Sequence, residues 1–268
     1  MYHRILIPVR EPSEVEPLIR FGAQLLDADG EICTLHVIPS ASLPEVTREW
    51  RRSVSLVVPA HETAAALDIR VDPEVRASTD VPGEIIETAE TRGVDAILMT
   101  LRADRRSVNP FVGHMASAML HHATCDVLVV NRLALAEERV SRILIPTFSA
   151  SPPPKALRIG EEIAVRSHGL PLVTLTMASR DAMVSDLSGP GRTPRGLPLV
   201  TRRSFFSAAL LGRRRRLPEL ILAQAARERY GLLIVGEEGA HPSAPLLTRS
   251  FLDELFRSAP CPVIAVRG

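Results

Sequence analysis

The stretch VGEEGAHPSAPLLTRS, Val235 to Ser250, carries the chemically most suggestive spacing in the chain. A short apolar run ends at Gly236, a second glycine follows at Gly239, and a helical pattern begins after Ser250. Glycines allow the main chain to approach a ligand closely. Main-chain N–H groups at a helix start favour anions. The combination suits phosphate. The place before Ser250, where a further glycine would serve, holds Arg249.

Other reactive side chains form weaker patterns. There is no Ser-His-Asp order, no nucleophile elbow, no HExxH and no pair of carboxylates suited to acid–base work, so the chain is not expected to be an enzyme. His114, His121 and His122 share one helical stretch, but their spacing lacks the i, i+4 pairing of a metal site, and packing is the favoured role. Between Leu187 and Pro218 there are eight arginines and no acid, the sharpest charge asymmetry in the sequence. Without interleaved aromatics this reads as a solvated basic loop rather than a nucleic-acid surface, with docking onto a membrane transporter as the rival. Cys33, Cys125 and Cys261 lie in apolar surroundings without metal-ligand spacing and read as buried thiols.

The elements that must position the glycine loop come in two copies. RILIPVREPSEVEPLIRFGAQL from Arg4 and RILIPTFSASPPPKALRIGEEI from Arg142 open identically, 138 residues apart. HHATCDVLVV and RSAPCPVIAV match near the far ends, with Cys125 and Cys261 136 residues apart. The repeat divides the chain into domains at 1–133 and 140–268, joined within Asn131–Ser141. At 268 residues and 46% apolar composition, two globular cores are affordable, and the net charge of +1 selects no partner. No apolar run approaches the ~20 residues of a membrane span, and the N-terminus lacks a signal-peptide layout, so a cytoplasmic location is expected.

Ile/Val/Leu-rich runs without strict alternation predict buried parallel strands at His3–Val9, Glu31–Val37, Arg70–Ala77, Ala96–Thr100 and Val127–Asn131. Helices are expected between them, among them Pro44–Leu67, Gly83–Arg92 and Pro218–Glu228. Ser13 with Glu16 reads as a capping box, and Ser151 with Pro152 as a cap followed by the first helical residue. Gly22 and Gly160 are expected to bring a helix close to the sheet. DLSGPGRTPRG reads as loop in a region where the second half has lost or shortened a helix.

The repeated ILIPV, LHVIP, PGEIIETAETRGVDAILM and HHATCDVLVV of the first half, with ILIP, GLLIVGEEG and APCPVIAV of the second, resemble the universal stress protein family in its tandem form. The resemblance implies two doubly wound α/β domains, each a five-stranded parallel Rossmann-like sheet. It implies a pseudo-dimer through the final strands, with a further homodimer open. It also implies an adenine nucleotide such as ATP or AMP in many members, and none in others that act as signalling or regulatory modules. The family's phosphate pattern is Gly, two residues, Gly, nine residues, Gly, then Ser or Thr. On it fall Gly236, Gly239, Arg249 and Ser250 in the second half. In the first half Thr100, Ala103, Gly113 and His114 take those places. Where the family carries an acid after the first strand stand Arg10 in the first half and Phe148, beside Thr147, in the second. Each half thus breaks the pattern at different places. The expected function is regulatory, with a nucleotide or other small anion bound in the second domain. The alternative is a nucleotide-free module that binds a protein partner or regulates a transporter. A basic cluster, Arg102, Arg105 and Arg106 with Arg10, is a weaker candidate for an anion in the first half.

Overall fold

The structure, a computed structural model, describes residues 1–39, 42–101, 115, 118–119, 122–131, 142–147, 152–166, 172–179, 190–206, 217–236 and 249–267. The chain divides into two compact units, the first built mainly from Met1–Arg102 and Val112–Val130, the second mainly from Asn131–Arg267.

In the first unit, β1 (Tyr2–Pro8), α1 (Pro12–Ala23), β2 (Leu26–Ile38), α2 (Leu43–Leu67), β3 (Arg70–Ala77), α3 (Val81–Arg92), β4 (Ala96–Leu101) and β5 (Asp126–Asn131) follow one another. The strands lie in the order β3-β2-β1-β4-β5, with β1 parallel to β2 and β4, and β2 parallel to β3. The order reverses beside β1, as in doubly wound sheets. Consecutive residues Ile5, Leu6 and Ile7 are all fully buried, which requires cover on both faces of the sheet.

The second unit repeats the plan with β6 (Ile143–Thr147), α4 (Pro154–Arg166), β7 (Leu172–Ser179), β8 (Pro190–Arg192), β9 (Pro198–Phe206), α5 (Leu217–Arg227), β10 (Leu232–Gly236), α6 (Arg249–Ser258) and β11 (Val263–Arg267). Its strand order is β11-β10-β6-β7-β9-β8. The fivefold order of the first unit is conserved, and β8 is added antiparallel to β9.

The two helix glycines serve the role expected of them. A Cβ on Gly22 would lie 3.3 Å from Ile32 and Leu98 and 3.4 Å from Ile7. One on Gly160 would lie 3.0 Å from Leu172, 3.2 Å from Ile145 and 3.5 Å from Ile234. In each unit these neighbours belong to the first, second and fourth strands of the repeat. Helix and sheet therefore meet so closely that an added side chain would crowd its neighbours.

Local starts and stops depart from the sequence reading in three places. Ser13 does not cap α1: Pro12 takes the first helical position, Glu11 is the N-cap residue and its side chain makes no capping bond, and Glu16 pairs with Arg20. Pro152 does not open α4, which begins at Pro154. Pro152 and Pro153 each precede a proline and are pushed toward extended backbone, whereas Pro154 precedes Lys155 and is free to turn. The carbonyl of Pro153 accepts the first helical bond, from Leu157 N–H at 2.9 Å.

The third departure is the segment read as loop, which contains β8 and a tight reversal into β9. Thr193, Pro194, Arg195 and Gly196 form a turn closed by Gly196 N–H donating to the Thr193 carbonyl at 2.8 Å. Proline sits second and Gly196, at φ +80°, sits fourth, as a turn with a following left-handed residue needs. The turn is latched to α4. Arg195 N–H donates to Glu161 Oε1 at 3.0 Å, and the Arg195 guanidinium pairs with Glu162, which also accepts from Arg166 Nε at 2.9 Å. Arg192 donates to the Gly196 carbonyl. Four of the eight arginines of the basic segment thus lie in a hairpin, and Arg192 and Arg195 are bonded within it or to α4.

The strand at the far end of the first sheet, β3, carries Pro73 and a run of charge. Arg92 pairs with Asp72 and Glu74, and Arg76 pairs with Glu74 and Glu84. Helix α3 starts under Asp80, whose carboxylate accepts from Gly83 N–H at 3.1 Å. It ends at Gly93 in the left-handed region, φ +57°.

Candidate functional site

In each unit the strand order reverses between the first and fourth strands of the repeat, and ligand crevices of open α/β sheets lie at the carboxyl ends of that pair. In the second unit the pair is β6 and β10, with Ile143 opposite Leu232 and Leu144 opposite Leu233. Carried to the strand ends, this register sets Thr147 level with Gly236. Both residues were singled out from the sequence, and both are buried, Thr147 at 1% exposure. Helix α6 lies between parallel strands β10 and β11, so it starts at this same end of the sheet, with Arg249 and Ser250 as its first residues. Gly239 and Phe148 lie outside the described residues.

Gly236 has a packing reason to be glycine. A Cβ there would lie 2.6 Å from the Pro153 Cβ and 2.8 Å from the Ala156 Cβ. The first turn of α4 presses against the end of β10, and no side chain fits between them. Its φ is not positive, so closeness and not backbone conformation selects it.

In the first unit the pair is β1 and β4, with Ile5 opposite Ala96 and Leu6 opposite Ile97. The same extension sets Val9 level with Thr100. These are the repeat partners of Thr147 and Gly236, so the threonine has changed strands between the copies. Thr100 is not idle: its Oγ1 donates to Glu14 Oε1 at 3.2 Å. The other carboxylate oxygen, Oε2, accepts from the Arg10 main-chain N–H at 3.3 Å. Glu14 stands in the first turn of α1 and is 5% exposed. The Arg10 side chain is exposed at the rim. Gly113, His114, Arg102, Arg105 and Arg106 lie outside the described residues.

Glu14 escaped the sequence reading, which attended to Ser13 and Glu16 on either side of it. The available signal was the repeat itself, because the residue 138 places on is Pro152 and has no charge. Of the three thiols read as buried, Cys33 and Cys261 are, while Cys125 is only half-buried. Burial pushes the Cys33 and Cys125 thiols up to about 11, far from the thiolate that reacts or binds metal. Among the described residues no cluster of His, Cys, Asp or Glu could hold a metal ion, and no helix is long and apolar enough to cross a membrane.

Outside the switch points, α2 shows an apolar stripe to solvent. Trp50, Val54 and Val58, spaced four apart, are 52%, 59% and 48% exposed.

The model of the universal stress protein family matches residues 1–131. No curated protein matches the sequence. Among solved structures, a universal stress protein from Archaeoglobus fulgidus DSM 4304 is similar over 98% of this chain and 95% of its own, at TM-score 0.68 and 17% identity. A putative universal stress protein from Pseudomonas aeruginosa UCBPP-PA14 is similar over 99% and 93%, at TM-score 0.57 and 11% identity. The cytoplasmic domain of a prokaryotic cation chloride cotransporter is similar over 99% and 95%, also at TM-score 0.57 and 11% identity. At these identities the likeness is one of fold.

Proposed function

Because the first half of the chain belongs to the universal stress protein family, we propose that the protein is a cytoplasmic regulatory sensor whose second unit binds a small anionic ligand, an adenine nucleotide such as ATP or AMP. One observation carries this reading: the two switch points are unlike. In the second unit, Thr147 and Gly236 stand level at the ends of β6 and β10, and the repeat position of Glu14 is the uncharged Pro152. The start of α6, with Ser250, faces the same end and supplies N–H groups suited to phosphate. In the first unit a carboxylate already occupies the corresponding ground.

Isothermal calorimetry with ATP, AMP and cyclic nucleotides tests the reading. One site per chain is expected, weakened by Ser250→Ala. Arg249→Gly should tighten nucleotide binding if the arginine merely crowds the loop, and loosen it if the arginine grips the anion. Absence of heat and of thermal shift with every nucleotide would sink the nucleotide version.

A second reading has its own observation. The exposed Trp50–Val54–Val58 stripe suits a protein partner, and a cotransporter's cytoplasmic domain shares the fold. In this reading the chain is a nucleotide-free module that docks on another protein, such as a membrane transporter. Trp50→Ala should then abolish capture of a partner from native membranes while leaving nucleotide calorimetry unchanged.

A further inference from the structure

We propose that Glu14 is a tethered ligand: its carboxylate fills an anion seat at the switch point of the first unit and closes that unit to anions from solution. The seat has two donors, the Thr100 hydroxyl at the end of β4 and the Arg10 main-chain N–H just beyond β1. One belongs to each strand flanking the crevice. The carboxylate bridges them, one oxygen to each, from the first turn of α1, where the helix dipole also favours negative charge.

Helix capping accounts for only part of this. An acid in the first turn that reaches back to a main-chain N–H satisfies a helix terminus. It does not need a threonine hydroxyl 86 residues away on another strand. Nor does capping call for burial: Glu14 is 5% exposed, and among the described residues no cation pairs with it. A carboxylate withdrawn from water needs its donors. At these two repeat positions the carboxylate and the hydroxyl occur in the same copy. In the second unit neither stands at its repeat position: Pro152 takes the place of Glu14 and Gly236 that of Thr100, while Thr147 takes that of Val9. The chain thus holds one copy whose anion is built in and one whose anion is not. The seat accepts a monocarboxylate, with one oxygen for each donor.

The test is chemical replacement of the lost side chain in the full-length protein. Glu14→Ala deletes the carboxylate and leaves both donors in place. Its thermal midpoint should fall, and sodium formate, compared with sodium chloride at equal ionic strength, should restore about 2–4 °C along a saturating curve. Wild type should respond equally to the two salts, and Thr100→Val added to Glu14→Ala should abolish the formate effect. If Glu14→Ala does not fold in chloride, the same comparison is made on refolding yield, where recovery in formate supports the seat. Equal responses of wild type and variant, persistence of the effect without the Thr100 hydroxyl, or no recovery in either salt would overturn it. Nucleotide binding by the second unit, read separately by calorimetry, is not involved in any of these outcomes.

Discussion

The two switch points derive from one ancestral pair of strand ends, and they have solved the same physical problem in opposite ways. The first keeps its hydroxyl on β4 and fills the crevice from within, with Glu14 bonded to Thr100. The second moves the hydroxyl to β6 and reduces the β10 residue to glycine, so that Pro153 and Ala156 close on the strand end. Internal duplication frees one copy from the demands made on the other. The lesson is that packing as well as phosphate can select a motif residue. Gly236 is dictated by its proline neighbour, and Thr100 by its glutamate.

That contrast can be broken most severely by moving the first unit's residue into the second. Gly236→Thr places a β-branched side chain where a Cβ already meets Pro153 at 2.6 Å. A loss of roughly 3 kcal/mol in urea unfolding is expected, near the upper end for overpacking. If instead the variant keeps its midpoint, α4 is free to retreat and the two switch points are less different than described.

The next test compares the helix glycines. Gly160→Ala should cost roughly 1–2 kcal/mol, because its new methyl meets Leu172 at 3.0 Å, whereas Gly22→Ala should cost less than about 1 kcal/mol at 3.3 Å. Equal midpoints for the two variants in chemical denaturation would erase this difference between the units.

The smallest expected effect concerns acid. Burial disfavours the Glu162 carboxylate, but hydrogen bonds from Arg166 and Arg195 outweigh it and hold the group below its ordinary range. A folded-state value below the unfolded one adds stability that is complete above the unfolded value, near pH 4.5, and is lost as pH falls through the folded one. Glu162→Gln should therefore cost about 1 kcal/mol at pH 7, with Arg195 and Arg166 partly exposed. The gap to wild type should narrow progressively below pH 4.5. The first unit has Gln24 at the repeat position, so the acid-sensitive latch belongs to the second alone. A gap that stays constant down to pH 2 would show that the carboxylate does not hold the hairpin.

Much of the fold was legible because its signals are local. Arg-Ile-Leu-Ile-Pro at the head of each half located both first strands, and unalternating apolar runs marked the buried strands β1 and β4. Gly22 and Gly160 announced close helix–sheet contact through nothing but their spacing. What stayed hidden depends on partners distant in sequence or on competition between adjacent residues. The Pro152-Pro153-Pro154 run shifted a helix start because each proline constrains the residue before it. Strand β8 lay within a glycine- and proline-rich stretch whose turn residues concealed a three-residue pairing. At the candidate site, Gly236, Thr147 and Arg10 were singled out by the glycine spacing and the family resemblance, and the register sets Gly236 and Thr147 level. The bond from Glu14 stayed hidden, because its partner lies three strands later along the chain.

The strand at the far end of each sheet carries a consequence for life at high concentration. An open strand edge is a template on which further copies can polymerise. In the first unit β3 interrupts that template with Pro73 and a fringe of charge. In the second, β9 is capped by β8, three residues long and opening on Pro190. The cover reaches Pro198, Leu199 and Val200, so it is the start of β9 that β8 shields. Each copy shields the edge of its third strand in its own way, one with proline and charge, the other with a short added strand.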